Sequence, residues 1–173
     1  LYGEKLRPTE EDMRDVGMVL FDIPDIGCRF YTYLWTMTYV MESCAVFDIP
    51  FVVLDRPNPI GALMEMAEGP MLDEANCSSF IGRWNIPLKH ACTLGELALY
   101  FAATRLPSLE IDVIKVNNYS RQQTAVNDFP FNSPFATIPV PFGWQAISQL
   151  SPISPSGKFV LNSSKSLPPH ILS

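Results

Sequence analysis

The sequence predicts an α/β fold built on a parallel sheet with flanking helices. Three observations carry this expectation. Val16–Ile23 (VGMVLFDI) and Phe51–Leu54 are short, nearly continuous apolar runs, the pattern of strands buried on both faces. Between them Leu34, Met37, Met41 and Cys44/Ala45 recur at three- and four-residue spacing, the stripe of an amphipathic helix. Strand, helix and strand in this order form a βαβ unit, normally a crossover between parallel strands.

The elements follow in chain order. Pro8-Thr9-Glu10-Glu11-Asp12 places a proline and acidic side chains where a helix first turn accepts them, so a short helix to about Asp15 is predicted. The first strand, Val16–Ile23, runs into Asp22, Pro24, Asp25 and Gly27, which is loop chemistry. The helix from about Tyr31 to Phe47 stops at Asp48-Ile49-Pro50, and the second strand runs out into Asp55-Arg56-Pro57-Asn58-Pro59. Ile60–Trp84 is loop-rich, punctuated by Gly61, Gly69, Pro70 and Gly82. Thr93-Leu94-Gly95-Glu96 is a capping box, in which the Thr and Glu side chains satisfy the free amides of a helix start. That helix continues to about Arg105. Pro107 then separates it from Leu109–Val116, an alternating strand, and the break is a candidate domain junction.

Charge is distributed unevenly along the 173 residues. Charged side chains make up 17% of the chain, yet Gln122–Ser173 holds only Asp128, Lys158 and Lys165 together with 8 of the 16 prolines. The formal net charge is −6 and no Lys/Arg run occurs, so the basic surface that nucleic-acid binding requires is not expected. No uninterrupted apolar stretch is long enough to predict a membrane span. Cys28, Cys44, Cys77 and Cys92 match no CxxC spacing and read as buried free thiols. With His90 and His170 the only histidines, no His-rich metal site is expected, and no cofactor is implied. Nucleotide-binding glycine fingerprints and the G-x-S-x-G elbow are missing.

In an open parallel sheet, ligands bind outside the carboxyl ends of the strands. The first strand delivers Asp22, Asp25 and Arg29 there; the second delivers Asp55, Arg56 and Asn58. Paired carboxylates suit general acid/base work when their environments separate their pKa values, and a nearby arginine holds a carboxylate ionised or clamps an anionic substrate group. Tyr31 and Tyr33 add flat, hydroxyl-bearing surfaces suited to a sugar ring. The same residues have plainer readings. Asp22 and Asp25 fit capping of the following helix as well as catalysis, Asp55-Arg56 fits a local ion pair, and the tyrosines fit core positions with a wet tip. Glu96 fits its capping box, and His90 a surface or half-buried histidine. The D-x-x-D spacing of Asp22 and Asp25 also leaves a magnesium-dependent, phosphate-handling enzyme as an alternative, although such enzymes usually carry D-x-D.

Several segments together are more specific than any one. Leu1–Glu4 (LYGE), Val19–Tyr33 (VLFDIPDIGCRFYTY), Val53–Gly61 (VLDRPNPIG), Glu68–Pro70 (EGP) and Thr93–Ala98 (TLGELA) occur in an order and spacing that resembles the bacterial exo-β-N-acetylmuramidases. The resemblance covers roughly residues 1–119. It implies a partial Rossmann-like parallel sheet with flanking helices in residues 1–107, then the start of a smaller C-terminal domain at 108–121. The Pro/Ser-rich tail 122–173 is left outside the resemblance, and a non-native or disordered segment is expected there. The implied activity is glycoside hydrolysis that releases N-acetylmuramic acid from the non-reducing ends of peptidoglycan fragments. A periplasmic or secreted parent is implied with it. By the same resemblance Asp22, Asp25 and Asp55 are the carboxylates of catalysis, and Arg29, Tyr31, Tyr33, Arg56, Asn58 and His90 bind substrate. Arg29 and Arg56 are the candidates for the lactyl carboxylate. The family usually has Gln at Pro24, Gly-Gly at Gly61-Ala62 and His-Gly-Met-Thr at His90–Thr93. Its best candidate for the catalytic acid is a Glu in a segment that would precede Leu1, so an inactive fragment or sugar-binding remnant stands as an alternative for the chain itself.

Overall fold

Three parallel strands, β1 (Val19–Phe21), β2 (Phe51–Leu54) and β3 (Ile111–Ile114), form one sheet in the order β1-β2-β3. The structure is a computed structural model and describes residues 5–121. Helices α1 (Glu10–Met13), α2 (Thr32–Phe47), α3 (Glu74–Cys77) and α4 (Leu94–Arg105) flank the sheet, with a short 3-10 turn at Met64–Met66. This is the α/β architecture expected from the apolar runs.

The register sorts the strand side chains onto two faces. Val19 pairs with Phe51 and Phe51 with Ile111, while Phe21 pairs with Val53 and Val53 with Val113, so these six share a face. That face meets Leu34, Trp35, Met37 and Met41 of α2 and Leu97, Ala98 and Phe101 of α4 in one apolar core. Trp35 of α2 lies against Phe101 of α4, ring centroids 6.3 Å apart, so the two helices sit side by side.

α2 owes its helicity to this packing. Its sequence carries three threonines and two valines, stiff side chains with modest helix propensity, and it has neither an acidic first turn nor a side-chain N-cap. Leu34, Trp35, Met37, Met41 and Cys44 are fully buried, and each large apolar side chain contributes about 1.5–3 kcal/mol on burial. The helix ends at Asp48, which takes the left-handed conformation (φ 54, ψ 47) while the Ile49 amide donates to the Cys44 carbonyl at 3.0 Å. Glycine prefers that conformation, and an anionic side chain there opposes the helix dipole. Asp48 is exposed. Asp48→Gly is therefore expected to stabilise the chain by about 1 kcal/mol, read as a rise in thermal midpoint; an unchanged or lower midpoint would refute the assignment.

Three expectations are corrected and the loop-rich stretch gains detail. β1 is shorter than its apolar run, because Asp15 adopts a left-handed φ of 61 and the Val16 amide turns back to the Met13 carbonyl. The ladder starts only where the Val19 amide meets the Pro50 carbonyl at 2.9 Å. β3 pairs with β2 along its whole length, so the junction expected after Pro107 does not separate residues 111–114 from the sheet. The loop 60–84 contains the 3-10 turn and α3, the latter capped by the Asp73 carboxylate on the amides of Ala75 and Asn76. All four cysteines are free, but Cys77 is exposed, Cys28 and Cys92 are half-buried, and only Cys44 is fully enclosed.

The long loop is fastened to α2 by Arg83. Its guanidinium stacks 3.8 Å from the Tyr39 ring centroid and donates to Thr38 Oγ1 at 2.6 Å and Glu42 Oε1 at 2.7 Å. The expected Pro/Ser-rich tail, 122–173, lies outside the described residues.

Candidate active site

β1 and β2 run parallel in close register, so Asp22 and Asp55 leave the sheet at the same end. Arg56 crosses from the β2 side to Asp22: its Nε donates to Asp22 Oδ1 at 3.1 Å and its Nη2 donates to the same oxygen. The two side chains are 29% and 30% exposed, so this pair is half-buried at the carboxyl end of the sheet. The local ion pair read for Arg56 is thus real, but its partner is Asp22 and not the adjacent Asp55.

Asp55 turns the other way, into the start of α4. Its Oδ1 accepts from the Gly95 amide at 2.8 Å and the Arg56 amide at 2.9 Å, and its Oδ2 accepts from Thr93 Oγ1 at 2.7 Å. The helix approaches so closely that a Cβ on Gly95 would stand 2.5 Å from Val113 Cγ1 and 2.7 Å from Asp55 Cγ. Thr93 and Glu96 complete the capping box, Glu96 Oε2 receiving the Thr93 amide at 2.9 Å. Asp55 is thus a half-buried anchor of α4.

Burial pushes the Asp55 carboxyl above its ordinary range, outweighing the three hydrogen bonds that favour the anion; Glu96 nearby adds to the rise. The folded state then holds the proton more tightly than the unfolded chain. The stability this contributes is complete in acid, below the ordinary carboxylate value, and is lost as pH rises through the raised folded value. Asp55→Asn, which carries no charge, is expected to flatten that descent. Urea midpoints from about pH 4 to about pH 8 check it, and parallel curves for the two proteins would refute it.

Asp25 and His90 form a second buried unit. Asp25 Oδ2 accepts from the Gly27 amide at 2.9 Å and sits 3.0 Å from His90 Nε2. His90 Nδ1 accepts from the Cys92 amide at 3.3 Å, which assigns the ring proton to Nε2 and makes Asp25 its acceptor. The two side chains are 7% and 1% exposed, so His90 is not the surface histidine that the sequence also allowed. Asp25 Oδ1 is buried with no hydrogen-bond partner among the described residues.

The remaining candidates divide between scaffold and rim. Asn58 is buried, its Nδ2 donating to the Cys92 carbonyl at 2.9 Å and its Oδ1 accepting from the Ile60 amide at 3.0 Å. It joins the loop after β2 to the approach of α4. Arg29 spends Nη1 on the carbonyls of Pro70 (2.8 Å) and Ile86 (2.6 Å), and holds the long loop against the first strand's exit. Tyr31 and Tyr33 meet edge to face, centroids 4.9 Å apart, at the start of α2. Asp22 and Asp25 are committed to different partners, Arg56 and His90, and do not share a ligand point. Among the described residues no group of three or more His, Cys, Asp or Glu could hold a metal ion. No helix among them is long and apolar enough to cross a membrane. Burial raises the thiol pKa of Cys28 and Cys92, so neither is an activated thiolate beside His90.

The structure adds residues from beyond β3. Arg121 pairs with Glu96 and its Nη2 donates to the Ala91 carbonyl at 3.0 Å, bringing the segment after β3 to the same end of α4. Nothing in the local pattern around Arg121 marks this contact.

A family model described as the N-terminal part of the exo-β-N-acetylmuramidase NamZ matches residues 1–141. The chain belongs to the NamZ family. The match continues through 122–141, into the stretch that the loss of charge sets apart. The peptidoglycan β-N-acetylmuramidase NamZ of Bacillus subtilis (strain 168) is 42% identical over 140 residues, which is 80% of this chain and 33% of that protein. Two crystal structures of DUF1343-family proteins from Bacteroides fragilis NCTC 9343 are similar in fold. One is 38% identical with a TM-score of 0.67, covering 72% of this chain and 32% of that one. The other is 41% identical with a TM-score of 0.61, covering 67% and 33%. The chain therefore spans about a third of the length of each of these relatives.

Proposed function

We propose that this chain supplies the strand-end half of the site of an exo-acting glycoside hydrolase, which releases N-acetylmuramic acid from the non-reducing ends of peptidoglycan fragments. The observation that carries the reading is family membership across residues 1–141, with 42% identity to a peptidoglycan β-N-acetylmuramidase. The strand ends support it. Asp22 and Arg56 form a half-buried carboxylate–guanidinium pair at the strand ends, and Tyr31 and Tyr33 pack edge to face at the start of the helix that follows β1.

Glycoside cleavage needs a proton for the leaving oxygen and negative charge near an oxocarbenium-like transition state. In this reading Asp22 is the carboxylate that faces the sugar, whereas Asp25 and Asp55 are bonded into the loop and helix beside it. Peptidoglycan lies outside the cytoplasm, which favours a periplasmic or secreted location for the parent. The test is release of N-acetylmuramic acid from a chromogenic muramic glycoside by the complete protein that carries this segment. Activity is expected. Phosphatase activity with magnesium and no glycosidase activity would overturn the reading.

A further inference from the structure

We infer that His90 is a positioning residue for this reaction: held as one neutral tautomer, it clamps the exit of β1 to the approach of α4 through Asp25 and does not itself touch the sugar. The inference rests on the glycosidase reading above.

Both ring nitrogens are already spent. Nδ1 accepts from the Cys92 amide at 3.3 Å, and Nε2 donates to Asp25 Oδ2 at 3.0 Å. This arrangement needs a single ring proton, because a second one, on Nδ1, would face the Cys92 N–H donor to donor. The side chain is 1% exposed. A buried ring with no spare nitrogen has no proton to deliver to a glycosidic oxygen and no edge to offer a sugar hydroxyl.

Its contacts fall instead on the loops at both strand exits. The chain leading to the ring lies antiparallel to the loop that leaves β1: the Arg29 amide donates to the Leu88 carbonyl at 2.7 Å, and the His90 amide to the Gly27 carbonyl at 3.4 Å. The oxygen that the ring holds, Asp25 Oδ2, also receives the Gly27 amide at 2.9 Å. Gly27 in turn presses on the loop after β2, where an added Cβ would stand 2.4 Å from Asn58 Oδ1. On the other side of the ring, the Cys92 carbonyl accepts from Asn58 Nδ2 at 2.9 Å, and the next residue, Thr93, caps α4 and bonds Asp55. The imidazole is thus the crossing point of the loops that carry Asp22 and Arg56. Asp25 Oδ1 is buried with no partner among the described residues, so the Gly27 amide and His90 alone hold this carboxylate.

Two amide side chains divide the ring's contacts. His90→Gln places an N–H where Nε2 stands and keeps the Asp25 bond, whereas His90→Asn places an oxygen where Nδ1 stands and keeps only the Cys92 bond. Kinetics are read on the muramic glycoside with the complete protein that carries this segment. In His90→Gln kcat is expected to fall about 3-fold, the loss of one ordinary hydrogen bond. In His90→Asn it is expected to fall about 100-fold with KM unchanged, as when reacting groups shift by about 1 Å. Thermal midpoints of both variants establish that they are folded. A fall in His90→Gln as deep as in His90→Asn would place the ring in the chemistry itself and overturn the inference. An unchanged kcat in folded His90→Asn, or a raised KM in either variant, overturns it as well. Nitrogen NMR of the 173-residue chain, whose only histidines are His90 and His170, reads the tautomer without any substrate. A protonated Nε2 and a bare Nδ1 are expected for His90, and the reverse tautomer overturns the inference. The expected tautomer in a complete protein without glycosidase activity overturns the muramidase reading, and the positioning role with it.

Discussion

Trp35→Ala is expected to destabilise the chain by about 4 kcal/mol, as large-to-small changes of buried aromatics do. Trp35 is fully buried between the sheet and α4, and its ring lies 6.3 Å from that of Phe101. Its Nε1 also donates to the Arg29 carbonyl at 2.7 Å, so one side chain ties α2 to the loop that leaves β1. Removing it opens a cavity and strands a carbonyl. Trp35→Phe separates the two contributions. It keeps most of the apolar area, loses the hydrogen bond and is expected to cost about 1–2 kcal/mol. Urea unfolding of the three proteins measures both. Similar losses for Phe and Ala would show that the hydrogen bond, not the packing, dominates.

The second large effect reverses an ordinary rule. Glycine inside a helix normally gives up about 1 kcal/mol to alanine, so Gly→Ala in α4 would be expected to stabilise. At Gly95 the added Cβ would meet Val113 Cγ1 at 2.5 Å, Asp55 Cγ at 2.7 Å and Asp55 Oδ2 at 2.8 Å. Val113 is branched and held in the middle of β3, and Asp55 is held by three donors, so neither yields cheaply. Gly95→Ala is therefore expected to cost about 3 kcal/mol, the upper range for forcing a methyl into a packed site. A stabilised Gly95→Ala protein would show that α4 can move off the sheet. Ala103, on the exposed side of the same helix, is the control: Ala103→Gly should show the ordinary loss of about 1 kcal/mol.

What the sequence disclosed divides along the range of the interactions. α2 was legible because its stripe of Leu34, Met37, Met41 and Cys44 repeats within a few residues, and all four are fully buried. β2 was legible as an unbroken apolar run, and the start of α4 from Thr93 and Glu96, three residues apart. The meeting of Asp22 with Arg56 at one sheet end followed from two short parallel strands. The links that decide what each site residue does were not legible, because they span the chain. Asp55 reaches Gly95, His90 reaches Asp25, and Arg29 reaches Ile86, each across a separation that no periodicity encodes. The misplaced junction after Pro107 has the same origin. An alternating strand looks alike whether it opens a new domain or adds to an existing sheet, and only its pairing with β2 decides.

The contact between Asp55 and α4 has a consequence for the helix terminus itself. The start of a helix beside a parallel sheet, with its free amides and partial positive charge, is where many α/β proteins seat a phosphate. Here a carboxylate of the chain already occupies that seat, with the Gly95 amide and Thr93 hydroxyl turned toward it. A nucleotide or sugar phosphate approaching α4 meets a resident anion. The amide and hydroxyl that would otherwise be free to receive an anion are spent inside the fold, on the side chain that holds the helix down.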